Sequence, residues 1–299
     1  MNPDWVAVDW GTTHLRVYAM GSTGVLAEAS SADGMGQLSR DDYEPALLRL
    51  IGPWLGAGPM PVIACGMVGS RQGWMEAPYR TTPCTPLDAA SLVTVPTHDP
   101  RLVVRLVPGL KQPAPADVMR GEETQIAGAL ALLPGFDGIL CLPGTHSKWA
   151  HVSAGEVVSF QTFMTGEMFA LLSQHSVLRH GMTTVDWDAE AFAAALSDAI
   201  SRPDKIAARL FALRAEGLIA GLSPAAARSR LSGLLIGIEL AAARPYWLGQ
   251  PVALIGADVL CDAYAAALAA QGVTARILPA AACTLAGLAA ARPTLEATR

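Results

Sequence analysis

Two stretches of this chain run as a β-like segment into a Gly-Thr turn and return as a second β-like segment. One is Trp5-Val-Ala-Val-Asp-Trp-Gly-Thr-Thr-His-Leu-Arg-Val-Tyr18, and the other is Gly138-Ile-Leu-Cys-Leu-Pro-Gly-Thr-His-Ser-Lys-Trp-Ala-His-Val152. With Gly11-Thr12 set on Gly144-Thr145, both continue through a glycine-containing turn, at Gly21 to Gly24 and at Gly155, into a further apolar strand. A repeat of this kind predicts two halves of like architecture facing each other. A tight Gly-Thr turn between strands presents backbone N–H groups and a hydroxyl, which suit a phosphate chain. Two such turns can grip one nucleotide polyphosphate from opposite sides of a cleft. Gly11, Thr12, Thr13, Gly144 and Thr145 are therefore candidate phosphate-binding residues.

The composition permits two cores: the chain has 299 residues, of which 52% are hydrophobic. Only 16% are charged and the formal net charge is −5, so the basic footprint of a nucleic-acid binder is missing. Five cysteines, an odd number with no CxxC pair, read as buried thiols in a reducing, cytoplasmic compartment. The N-terminus shows no signal-peptide pattern. The apolar stretches Leu231 to Ala243 and Val252 to Ala270 carry Glu239 and Asp258 with Asp262 respectively, and neither reads as a membrane span.

Hydrophobic periodicity predicts strands at 5–10, 14–20, 24–30, 61–65, 102–107, 139–142, 148–153, 156–163, 252–255 and 274–277. It predicts helices at 42–55, 122–133, 188–200, 205–216, 224–243 and 258–271. Lys111-Gln-Pro-Ala-Pro-Ala116 has the composition of a linker, which sets the expected domains at 1–116 and 117–299.

Within this frame several residues have the chemistry of a site. Asp9 ends a strand two residues before the first turn, where a carboxylate can hold Mg²⁺ through water against a phosphate, or simply bond its own turn. After the second turn, His146, Ser147 and Lys148 can approach a phosphate; Lys148 reads equally well as a solvated strand lysine. Arg120-Gly-Glu-Glu-Thr124 sets two carboxylates at a helix start, and Glu122 or Glu123 can take a proton from a substrate hydroxyl. Ser70, Arg71 and Gln72 suit a polyhydroxylated acid, the arginine offering a fork to its carboxylate. Gly34 with Met35, and Thr165 with Glu167, are polar or flexible turns that can face the same cleft. Gly256 and Ala257 end a strand and let a flat base lie on the backbone, while Gly233 lets another segment approach. Neither a Walker A pattern nor a G-x-G-x-x-G after a strand occurs, which disfavours P-loop and Rossmann folds.

The order Asp9-Trp-Gly-Thr-Thr, Pro143-Gly-Thr-His, Ile255-Gly-Ala resembles the phosphate-1, phosphate-2 and adenosine motifs of the actin-like ATPase superfamily. More narrowly, the chain resembles the 2-dehydro-3-deoxygalactonokinase family. That resemblance rests on Val8 to Thr13, Ala64 to Trp74, Val118 to Gln125, Leu142 to Trp149, Thr165 to Glu167 and Leu231 to Gly237. It implies an α/β chain of two actin-like (ribonuclease H-like) domains around an ATP cleft that closes on the sugar acid. It further implies ATP and Mg²⁺, with transfer to the 6-hydroxyl of 2-dehydro-3-deoxy-D-galactonate in galactonate catabolism. Pro143 departs from the superfamily, which commonly has an aspartate there, so metal binding falls mainly on Asp9. The Gly-Glu-Glu string is similar to the catalytic-glutamate segment of exopolyphosphatases. An ATP-switched sensor and a polyphosphate-type hydrolase of the same fold are the alternative expectations. A homodimer, the epimer preference and the choice between the two glutamates stay open at this point.

Overall fold

The computed structural model describes residues 3–292. The first strand–turn–strand segment forms a meander of β1 (Trp5–Trp10), β2 (Leu15–Gly21) and β3 (Gly24–Ser31). β1 and β2 pair antiparallel with Val8 opposite Val17 and Asp9 opposite Arg16. Helix α1 (Tyr43–Ile51) then leads to β4 (Met60–Gly66). β4 lies parallel to β1 in a register that sets Asp9 opposite Cys65. After β5 (Arg80–Thr81) and β6 (Val93–Val95), β7 (Leu102–Leu106) adds parallel to β4. The sheet order is β3-β2-β1-β4-β7-β6. β1 is almost wholly buried, as expected of a central strand covered on both faces. Val6, Val8 and Trp10 pack with Tyr43, Leu47 and Ile51 of α1.

The stretch expected to be a linker is instead a hairpin. β8 (Leu110–Pro113) and β9 (Ala116–Met119) pair antiparallel and join β5 in a three-stranded sheet. Leu110 and Gln112 alternate inward along β8, and the Gln112 amide donates to the Pro115 carbonyl. The two prolines thus sit at a turn and a strand end, where no ladder N–H is needed. Helix α2 (Glu122–Leu132) follows.

The second copy of the motif forms β10 (Gly138–Leu142), β11 (Ser147–Ser153) and β12 (Glu156–Phe163). A helical stretch follows: α3 (Thr165–His175), α4 (Ala189–Ser201), α5 (Ile206–Ile219), α6 (Pro224–Ala242) and the single turn α7 (Arg244–Trp247). β13 (Val252–Gly256), α8 (Asp258–Ala269), β14 (Ala275–Pro279) and α9 (Ala280–Ala290) complete the described chain. β13 is parallel to β10, and β14 to β13, in a sheet ordered β12-β11-β10-β13-β14. Strand for strand this is the arrangement β3-β2-β1-β4-β7, so the sequence repeat is a repeat of topology.

The described residues fall into two compact units. One is drawn from Met1–Asp137, Val152–Ser159 and Ala280–Arg299, the other from Gly138–His151 and Phe160–Pro279. The boundary drawn from sequence at 116/117 falls inside the first unit. Two elements move it. The hairpin ties 110–119 to β5, and α2 lies against α9, where a Cβ on Gly128 would stand 1.7 Å from the Cys283 carbonyl. Leu288 and Ala291 pack with Trp5 and Ala7 on the β1 face away from α1, so the C-terminal helix belongs to the first unit's core.

Candidate active site

In the first unit the Gly-Thr turn is exposed from Thr12 to His14, and Gly11 donates its N–H to the His14 carbonyl at 3.0 Å. The segment after β3 folds back on this turn. Met35 N–H donates to Gly11 O at 3.0 Å and Gly36 N–H to Thr12 O at 2.9 Å. Gly34 allows that approach, since an added Cβ would meet the Thr12 carbonyl at 2.3 Å. Gly34 and Met35, expected at the substrate, lie against the first turn and brace it. At the end of β1, Asp9 pairs with Arg16 at 3.1 Å. Burial pushes its carboxyl up while Arg16 pulls it back, and the net shift is upward.

Helix α2 begins beside this strand end. Gly121 adopts φ +108 and lies against Gly66 at the end of β4. That left-handed turn brings the helix start to the strand ends and is open to glycine at little cost. Glu123 is fully buried and accepts from the Gly121 N–H at 2.7 Å and the Thr124 hydroxyl at 3.1 Å. Burial, then the charge of Glu122, push its carboxyl up to about 8. Glu122 is half-buried and accepts from the Arg120 N–H at 2.9 Å. Cys65, paired across the sheet with Asp9, feels both candidate carboxylates. Burial raises its thiol most, and the charges of Asp9 and Glu123 raise it further. Asp9 and Glu123 thus share one neighbourhood, although 114 positions of sequence order separate them.

Ser70 is buried, whereas Arg71 and Gln72 are exposed. The Arg71 side chain is 80% exposed and reaches only Glu76, at 3.7 Å. Arg120, to which no role falls from the sequence pattern, is buried over the Tyr79 ring at 4.3 Å.

In the second unit the turn is again exposed, at Thr145 and His146, and is again braced by the segment after its third strand. Glu167 N–H donates to Thr145 O at 2.9 Å, and a Cβ on Gly166 would meet Gly144 O at 2.2 Å. Thr165 and Glu167 lie in the first turn of α3, not in a loop, and Glu167 bonds the His146 ring. Ser147 is fully buried and bonds Tyr264, away from solvent. The buried Lys148 ammonium donates to Thr162 on β12 at 2.8 Å, so it is not a solvated strand lysine. Beneath the turn, Glu239 accepts from Trp149 and Tyr264, both at 2.7 Å.

A cavity of about 470 Å³ opens beside this turn, lined by Gly144, Thr145, Gly166, Phe169, Trp187, Arg228, Ser232 and Ala257 among others. Its wall is mainly apolar with a few polar groups, as suits a flat base with a polar edge. Ala257 lines the cavity, whereas Gly256, one residue before, lies against the Pro143 carbonyl, 3.2 Å from where a Cβ would stand. Gly233, expected at the nucleotide, instead faces α4, where a Cβ would stand 2.4 Å from the Phe192 carbonyl. Its neighbour Ser232 is the residue that reaches the cavity. Trp187 is half-exposed and lies in a stretch without helical or strand periodicity, so its one sequence signal was an aromatic among polar residues.

Among the described residues no cluster of three or more His, Cys, Asp or Glu could enclose a metal ion. Asp9 is nevertheless compatible with Mg²⁺, which keeps several waters and is commonly held by one or two carboxylates and the substrate's phosphates.

Comparison with known proteins gives one consistent result. The family model for 2-keto-3-deoxy-galactonokinase matches residues 9–291. A Rhizobium meliloti (strain 1021) protein provisionally named 2-dehydro-3-deoxygalactonokinase is 40% identical over 296 residues, covering 96% of each chain. The 2-dehydro-3-deoxygalactonokinase of Escherichia coli (strain K12) is 34% identical over 276 residues, covering 91% of each. The crystal structure of a Sinorhizobium meliloti protein, provisionally named for the same activity, superposes with a TM-score of 0.91. It is 38% identical and covers 97% of this chain and 99% of its own.

Proposed function

The chain belongs to the 2-keto-3-deoxy-galactonokinase family, and we propose that it carries the γ-phosphoryl group of ATP to the 6-hydroxyl of 2-dehydro-3-deoxy-D-galactonate. It is a sugar-acid kinase, and ATP use follows from that class. The observation that carries the finer reading is Glu123: a buried carboxylate with its pKa raised to about 8, in one neighbourhood with Asp9.

Phosphoryl transfer asks for positioning and charge stabilisation more than for covalent help. The backbone N–H groups of the Gly11-Thr12-Thr13 and Gly144-Thr145 turns hold phosphate oxygens. Asp9 holds Mg²⁺, which when bound offsets charge on the phosphates. The cavity at Trp187, Phe169 and Ala257 takes the adenine, and Arg228 and Ser232 approach its polar edge or ribose. Glu123 receives the proton of the attacking hydroxyl. A base is most effective when its pKa lies near the working pH, and burial gives Glu123 that property. Glu122 holds the turn by accepting from the Arg120 amide.

The test is ADP release from the purified chain, with Mg²⁺, across a panel of 2-keto-3-deoxy sugar acids. The expected result is ADP formation that depends on the acid, strongest with the galactonate-derived epimer, with phosphate recovered on C6. Rapid ATP turnover without any acid would overturn the kinase reading in favour of a hydrolase, and a single slow turnover would favour a switch.

A further inference from the structure

Arg120 is 9% exposed, and two of its three guanidinium nitrogens, Nε and Nη1, have no hydrogen-bond partner. The third, Nη2, donates to the Ala77 carbonyl at 2.8 Å. One face of the group covers the Tyr79 ring. Among the described residues it forms no ion pair, although burying a cation without a counter-ion is strongly unfavourable. A second orphan lies one residue along from the segment that Arg120 packs against. The Ser70 hydroxyl is buried without a partner, and a Cβ on the preceding residue, Gly69, would lie 3.0 Å from Arg120 Nη1. A buried cation against Gly69 and a buried hydroxyl on the next residue, both unsatisfied, make a candidate site for an anionic acceptor.

We propose that Arg120, with Ser70, receives the carboxylate of the sugar acid, and that the exposed Arg71 does not. This deepens the kinase reading and rests on it. Arg120 stands three positions before Glu123, across the Gly121 turn, so one short stretch of chain carries both the anchor for the acid's C1 end and the base for its C6 hydroxyl. Both orphaned groups are screened from solvent, so a carboxylate that reaches them meets little competition from water. Arg71 stands in water beside Glu76, where a single ion pair discriminates weakly.

The experiment compares the sugar acid with its neutral C1 amide as phosphoryl acceptors, in the wild type and in Arg120→Gln, Arg120→Lys, Ser70→Ala and Arg71→Ala. The wild type should prefer the acid. Arg120→Gln should lower kcat/KM for the acid at least about thirtyfold, the scale of losing a buried charge-assisted contact, and change the amide little. The acid-to-amide ratio should then fall at least about tenfold, with the KM for ATP unchanged. Arg120→Lys should fall between, and Arg71→Ala should keep the wild-type ratio. If Arg120→Gln retains that ratio, losing acid and amide activity alike, Arg120 is a structural cation and the proposal fails while the kinase reading stands. If Arg120→Gln does not melt cooperatively, the same ratio in Ser70→Ala decides: a drop supports the site and an unchanged ratio overturns it. If the wild type phosphorylates no acid at all, the kinase reading itself has failed.

Discussion

The two Gly-Thr turns are built alike and equipped differently. Each joins a central buried strand to its antiparallel or neighbouring partner, and each is braced by a glycine from the segment after the third strand, Gly34 on Thr12 and Gly166 on Gly144. At the position of Asp9 the second copy has Leu142, fully inside its core. At the position of Arg16 it has Trp149, also buried. Both units contain a buried glutamate near the turn, yet the two are surrounded differently. Glu239 is enclosed by side-chain donors from Thr165, Trp149, Tyr264 and Ser147, which offset part of the upward push of burial. Glu123 has one side-chain donor, Thr124, beside backbone N–H groups, and it has a like-charged neighbour, Glu122; its carboxyl is pushed up to about 8. One scaffold was thus used twice, with carboxylates of raised pKa in one copy and a carboxylate enclosed by side-chain donors in the other. Under the proposed function, this difference would place the chemistry in the first unit and nucleotide holding in the second.

Five substitutions break or sharpen that contrast. The largest effect should come from Asp9→Asn. Removing the carboxylate that orders the metal should lower kcat by about a thousandfold with the fold intact, the upper end for loss of one electrostatic group. Near-normal turnover at saturating Mg²⁺ would show that the two turns are chemically equivalent after all.

Next is Glu123→Gln, which should cut kcat at least about a hundredfold while Glu122→Gln changes it little. Wild-type kcat/KM should rise with pH and level off above about 8, because the base acts only when deprotonated. The variant should lose that limb. Stability gives an independent readout. The folded pKa of about 8 stands above the ordinary 4.5, so the unfolded chain releases this proton first. Stability from this group is full below about 4.5 and is lost as pH rises toward 8, with a slope of at most about 1.4 kcal/mol per pH unit. Urea melts of wild type and Glu123→Gln across that window should diverge at low pH in favour of the wild type and converge or cross as pH rises. Parallel curves would show that Glu123 titrates normally.

A smaller effect is expected from Trp187→Ala in the second unit. Loss of an aromatic wall should raise the KM for ATP by about tenfold, equivalent to about 1.4 kcal/mol, and leave the KM for the sugar acid alone. An unchanged ATP constant would remove the base from this cavity. Glu239→Gln should have the least effect on chemistry. It should lower stability by about 1–3 kcal/mol through a disturbed donor set, while kcat stays within a few-fold. A hundredfold loss of kcat in a well-folded Glu239→Gln would erase the distinction between the two buried glutamates.

Much of the fold was legible because its signal is local. β1 and β10 are continuous apolar runs, the turns are marked by Gly-Thr, and the helices from α4 onward show apolar residues at helical spacing. The misreadings share one cause, distance along the chain. Lys111 to Ala116 looked like a linker because Pro-Ala-Pro marks a turn but does not say what the flanking strands pair with; β5, some thirty positions earlier, supplies that partner. Gly233 looked like a nucleotide contact because a helical glycine signals close approach without naming what approaches, and it was α4.

By itself the sequence determined the doubled strand–turn motif, the carboxylates at Asp9 and Glu122–Glu123, and, through long specific strings, the family. Those are properties of residue type and spacing, and local backbone preference or chemistry is enough to express them. Only the tertiary structure decided which groups lost their water. Two adjacent glutamates are equal on paper until packing buries Glu123 and leaves Glu122 half in solvent. Both arginines are equal on paper until the loop turns Arg71 outward and packing carries Arg120 inside against Tyr79. A charge takes its reactivity from how far it is desolvated and what faces it, and both depend on chain segments far away in sequence.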